Sequence, residues 1–209
     1  MSGSTSTSDV PLRCQCGHVR GVASTVSPST GFRVLCYCKD CQAFVRFLSR
    51  ADVLNAAGGT DIFQMPTGRL KLTTGMDALR CLRLSTNGVL RWYTDCCRTP
   101  IGNTAGPRVP LIGVIHSFMD HKGDGRSRDE VLGPPLCRIF ERSAIAPLPP
   151  TAPPPPSFRL FARRISKMLD WLMHGLARPN PFFDDRTGVP RSVPRVLMPS
   201  ERAALDDVT

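Results

Sequence analysis

The chain has 209 residues, 41% hydrophobic and 21% charged, with nine cysteines, twenty prolines and a formal net charge of +10. That apolar content supports a packed core and argues against wholesale disorder. No stretch approaches the about 18–20 continuous apolar residues of a membrane span, and the Ser/Thr-rich opening from Met1 to Asp9 lacks the apolar core of a signal peptide.

Residues 1–9 read as a flexible N-terminus, followed by a body over 10–146 that holds all nine cysteines. Val10–Cys14 and His18–Ser24 flank Gln15-Cys16-Gly17, which predicts a hairpin. Phe32–Tyr37 is the next expected strand. Short helices are expected over Asp40–Leu48, with Asp40 as N-cap, and over Ala51–Ala57, closed by Gly58-Gly59. Leu79–Ser85 and Val89–Tyr93 enclose Asn87-Gly88, a strong hairpin signal, and Leu111–Phe118 and Leu136–Phe140 complete the strands. Seven prolines fall in Pro147–Pro156, predicting a polyproline II linker over 147–156. Beyond it, 157–209 reads as a helix and a Pro-containing tail, extended on the body or loose. Phe158, Phe161, Ile165, Met168, Leu169, Leu172 and Leu176 mark one apolar face of a helix from about Ser157 to Ala177. That face needs a cover: the body, a second copy, or a membrane surface.

The expected compartment is the cytoplasm, where clustered cysteines read as metal ligands or reactive thiols. Cys14 and Cys16 form CxC, Cys36, Cys38 and Cys41 form CxCxxC, and Cys96 and Cys97 are adjacent. Closely spaced thiolates on turns let one loop supply two corners of a tetrahedral zinc site. The CxC pair needs partners, and Cys96 and Cys97 are the available donors. Successive strand side chains point to opposite faces. Either the turn at Asp95 brings both thiols to one metal, or the two serve different metals. CxCxxC supplies three thiolates, leaving a fourth corner for water, substrate or a distant residue, as in catalytic zinc sites. Cys81 and Cys137 read as buried strand cysteines.

Cys14-Gln15-Cys16-Gly17, Cys36-Tyr37-Cys38-Lys39-Asp40-Cys41-Gln42 and Cys97-Arg98-Thr99-Pro100-Ile101 resemble the glutathione-dependent formaldehyde-activating enzymes and their centromere-protein-V relatives. The resemblance covers roughly residues 10–140. It implies a mainly β, tent-like zinc fold of short antiparallel strands with one or two short helices, here followed by a C-terminal amphipathic helix. It also implies two zinc ions per chain. Cys14, Cys16 and Cys97 would be structural ligands, with Cys96 available to join them, while Cys36, Cys38 and Cys41 would hold the reactive zinc. The sequence departs from the family pattern at three places: Thr94 stands where its downstream CxxC begins, Arg98 where glycine follows, and Tyr37 where histidine is common. Cys96 therefore either rebuilds the structural site or turns to the second metal and closes it.

The implied activity is a zinc-dependent carbon–sulfur lyase acting on a glutathione or other thiol–aldehyde adduct. The alternative is a non-catalytic, zinc-stabilised module that binds a protein or an anionic partner. Lys39, Arg46 and Arg98 stand beside the clusters and suit an anionic thiol, although each also reads as solvated surface charge. Gln42 could hydrogen-bond a substrate or lie on the helix surface. His116 and His121 read as structural, as acid–base groups or as further ligands. Helix 157–177 and its edge carry five bases against Asp170 alone, which allows membrane-surface contact, and a homodimer is the other expected use. Nucleic-acid binding is disfavoured, because no basic run is interleaved with aromatics.

Overall fold

In a computed structural model, which describes residues 7–120 and 125–206, the first expected hairpin is β1 (Ser8–Arg13) against β2 (Arg20–Val26), antiparallel. Its tip closes with the Gly17 amide donating to the Cys14 carbonyl at 2.9 Å, and Gly17 takes the left-handed φ of 78° that such a turn requires. Because β1 begins at Ser8, the ordered body reaches two residues into the expected flexible terminus.

The remaining elements are β3 (Phe32–Cys36), α1 (Lys39–Phe47), β4 (Thr60–Met65), β5 (Leu70–Thr74), β6 (Leu79–Arg83), β7 (Leu90–Thr94), β8 (Pro100–Thr104) and β9 (Ile112–Ile115). Then follow α2 (Arg128–Leu132), β10 (Cys137–Ile139), α3 (Phe158–Met173), β11 (Arg195–Val196) and α4 (Pro199–Ala204). β1, β2 and β5 form a three-stranded sheet. An eight-stranded sheet runs β10-β3-β4-β9-β8-β7-β6-β11, antiparallel inside and parallel at its two edges. The fold is mainly β.

Each central strand alternates between two cores. Phe63, Trp92, Ile112 and Val114 join Val10, Leu12, Ala23 and Leu70 of the small sheet on one face. Ile62, Tyr93 and Ile115 join Phe44, Val45 and Leu48 of α1 on the other. Buried area at about 25 cal/mol per Å² drives both layers together.

Three expectations change. Ala51–Ala57 is no helix beyond the single 3₁₀ turn Ala51–Val53, because the Asn55 side-chain carbonyl accepts from the Ala57 and Gly59 amides and folds the chain into a loop. The N-cap of α1 is Cys38, whose sulfur accepts from the Cys41 amide at 3.3 Å, and Asp40 sits in the first turn instead. The apolar face of α3 is not laid on the body. Of its sixteen residues only Trp171 is buried, packed edge-on against Phe32, and Phe158, Phe161, Ile165, Leu169 and Leu172 are exposed.

The proline-rich segment runs along β10, where Pro154 accepts from the Arg138 amide at 2.9 Å. The tail beyond α3 shares the body's core: Phe182 and Phe183 are fully buried, with Phe182 stacked on Trp92 at 4.9 Å between centroids. No helix among the described residues is long and apolar enough to cross a membrane.

Candidate metal centres

Two cysteine clusters border the two cores, Cys14 and Cys97 at the first, and Cys36 and Cys41 at the second. Cys14 follows β1, Cys16 tops the hairpin, and Cys96 and Cys97 lie in the turn after β7. Their four sulfurs lie within 4.8 Å of one another: Cys14 to Cys16 is 3.5 Å, Cys16 to Cys96 3.4 Å, Cys14 to Cys96 3.9 Å and Cys96 to Cys97 3.8 Å. The alternatives for the adjacent pair resolve in favour of one shared site. Strand alternation ends at Thr94, and Arg98 takes a left-handed φ of 56°, the conformation for which glycine is ordinarily favoured. That turn lets both thiols point to one centre.

The four sulfurs differ in how far their surroundings favour the anion. Burial raises the Cys14 pKa, although the Val19 amide donates to it at 3.3 Å, and burial pushes Cys96 up to about 12. Burial opposes ionisation of Cys97, but the Thr94 and Thr99 hydroxyls, 3.4 and 3.2 Å away, and the Cys16 backbone outweigh it and bring its pKa down to about 5. Thr94 thus serves the site through its hydroxyl.

Cys36, Cys38 and Cys41 gather on the α1 side, with Cys36 to Cys38 at 3.3 Å and Cys36 to Cys41 at 3.7 Å. Cys36 ends β3, and Cys38 and Cys41 bracket the first turn of α1, where backbone amides point at sulfur. Hydrogen bonds from the Cys36 and Cys41 thiols and the Cys41 amide pull the Cys38 pKa down strongly, while the contacts of Cys36 with Cys38 and Cys41, together with burial, raise that of Cys36. Among the described residues no fourth Cys, His, Asp or Glu joins this group. Cys96 belongs wholly to the other cluster.

A charge beside this group that sequence reasoning missed is Arg91. It is buried on β7, and its Nη1 lies 3.9 Å from the Cys41 sulfur while Nη2 donates to Asp40 at 3.3 Å. Only the sheet register brings it there, so no local pattern announced it.

The expected substrate-side residues separate. Lys39, Gln42 and Arg46 line one cavity of about 270 Å³ with Arg142, Ser143 and Asp206. Gln42 is buried and donates to the Tyr37 and Ser143 carbonyls, both at 2.8 Å, so it braces the loops around α1. Arg98 lies elsewhere: it donates to the Phe47 carbonyl at 2.7 Å and stacks on Phe47, fastening the far end of α1 to the first cluster's turn.

His116 joins neither sulfur group; it stands against the Asp61 carbonyl and lines a cavity of about 310 Å³ with Cys14, Gln15 and Arg128. Burial, with Arg128 beside it, pushes its pKa down to about 4. His121 falls outside the described residues. Cys81 and Cys137 are buried strand cysteines and join neither cluster, and burial raises the Cys81 thiol to about 12.

Fold and clusters together define a mainly β protein with two cysteine groups that can each hold a metal ion. The chain belongs to a family described as a family of unknown function (DUF6151), which it matches over residues 6–192. No curated protein matches the chain.

Proposed function

We propose that the chain holds two zinc ions and that the one at Cys36, Cys38 and Cys41 serves carbon–sulfur chemistry on a thiol–aldehyde adduct such as that of glutathione. Zinc fits the donors: tetrahedral thiolate coordination at about 2.3 Å implies sulfur–sulfur separations of about 3.8 Å; six of the separations within the two clusters run from 3.3 to 3.9 Å, and all sulfurs of each cluster lie within 4.8 Å of one another. Cys14, Cys16, Cys96 and Cys97 would hold a structural ion with four protein ligands. The observation that carries a reactive role is the three-sulfur composition of the second group. A zinc ion there supplies a Lewis-acidic position that favours thiolate over thiol.

The chain's own residues would do the rest. Lys39, Arg46 and Arg142 would attract the carboxylates of an anionic thiol to the cavity beside α1, whose lining includes none of the three cysteines. Arg91, next to Cys41, offsets the negative charge of three thiolates. In the breakdown direction the carbon–sulfur bond of a hemithioacetal breaks, sulfur keeps the electron pair, the hydroxyl proton passes to solvent, and the aldehyde leaves. Addition of the thiolate to the aldehyde is the reverse.

A non-catalytic reading draws support from the tail. Arg202 pairs with Asp40 at 3.2 Å, Leu205 accepts from Arg46 at 2.9 Å, and Leu197 and Leu205 pack in the core that contains Cys36 and Cys41. In that reading the second zinc only braces α1. One experiment separates the two: zinc-loaded protein is given glutathione with formaldehyde, and adduct formation and breakdown are followed. Turnover by the wild type that is lost in C41S supports the reactive site. Rates equal to those without protein leave the interaction module.

A further inference from the structure

We infer that α3 is the contact surface of a homodimer, in which two copies of the helix pack antiparallel about a two-fold axis at Ile165. The helix has three faces, read at about 100° per residue. Leu160, Arg164, Lys167, Met168 and Trp171 turn toward the body and are buried or half-buried. Arg159, Arg163 and Asp170 form a polar flank. The third face, about 120° around from the first, carries Phe158, Phe161, Ile165, Leu169 and Leu172, between 43% and 83% exposed.

The spacing of that third face is symmetric. Phe158 and Leu172 stand seven residues before and after Ile165, and Phe161 and Leu169 stand four before and after it. In an antiparallel pair every large apolar side chain therefore meets another one, Phe158 against Leu172 and Phe161 against Leu169, with Ile165 on the axis. A surface complementary to itself is what a two-fold interface requires.

The five side chains of the stripe expose roughly 550 Å² per copy, less than the about 800 Å² per partner of a standard interface and in keeping with a small one. No charged residue lies in the stripe, so the net positive charge of each copy is kept off the contact. An anionic membrane fits less well, because three of the four bases of α3 are committed elsewhere. Arg164 and Lys167 lie on the body side, and Arg163 stacks on Phe32 and donates to the Pro28 carbonyl at 3.3 Å.

Light scattering on the zinc-loaded full chain at micromolar concentration tests this. A dimer is expected for the wild type. F158D and L172K alone should each be monomeric, with unchanged circular dichroism and zinc content, since both side chains are exposed. Mixing F158D with L172K should restore a heterodimer, because only the antiparallel pairing sets the introduced carboxylate against the introduced amine. A monomeric wild type overturns the proposal. So does a dimer that persists in I165D, a mixture that stays monomeric, or a wild-type monomer that binds vesicles of anionic phospholipid.

Discussion

Cys16 and Cys96 bring their sulfurs to 3.4 Å across 80 residues of chain, joining the first hairpin to the turn after β7. Both residues are exposed, so apolar burial does not hold this contact in place. The account assigns that task to a metal. C96S should release one metal ion of two, by elemental analysis, and lower the melting temperature. The three-sulfur group should keep its ion, because Cys96 takes no part in it.

Asp61 is the anchor of a buried ion cluster. It accepts from Arg33 at 2.8 and 3.0 Å and from Arg128 at 2.7 Å, and Arg33 also reaches Asp129. D61A leaves the buried Arg33 guanidinium without its main partner. Breaking such a pair costs about 3–5 kcal/mol, which denaturant unfolding should detect as a lowered midpoint.

Acid should weaken the protein in two stages. His116 is held neutral, with a folded pKa of about 4 against an ordinary value of 6.5. Its contribution is whole above pH 6.5 and fades as pH falls toward 4, because only the unfolded chain takes up the proton. Burial works against the Asp61 charge, yet Arg33 and Arg128 hold its pKa below the usual range. That contribution is present above the unfolded carboxylate pKa and is lost as pH falls through the lower folded value. In unfolding curves measured across pH with metal content monitored, H116Q should remove the loss between pH 6.5 and 4 and keep the later one.

The tail past the prolines is part of the fold, so F182A should be costly. Removing a fully buried ring stacked on Trp92 typically costs about 3–5 kcal/mol, although Phe182 lies outside the body the sequence suggests. A variant as stable as the wild type would make the tail a detachable segment.

Both cysteine clusters were legible in the sequence, because metal spacing is local: CxC and CxCxxC each sit on one turn. Hairpin β6–β7 was legible for the same reason, through Asn87-Gly88. β4 was missed because Asp61 interrupts its apolar run, and its charge is buried against Arg33 on the neighbouring strand and against Arg128. β8 was missed because Pro100 and Gly102 read as turn residues. Its proline stands at the first strand position, where the missing amide is tolerated. The partnership of Cys96 and the position of Arg91 depend on sheet register, which no short window carries. The helical periodicity of α3 gave the helix correctly but could not say which face the body would take. Trp171, outside the apolar stripe, took that role.

The central claim is that the chain binds two zinc ions, one with four cysteine ligands and one with three. Native mass spectrometry of the purified protein tests it most directly when the wild type is compared with C96S and with C36S/C41S. The account predicts two zinc ions for the wild type and one for each variant. A wild type that carries no zinc, or a single ion lost in both variants, would contradict it.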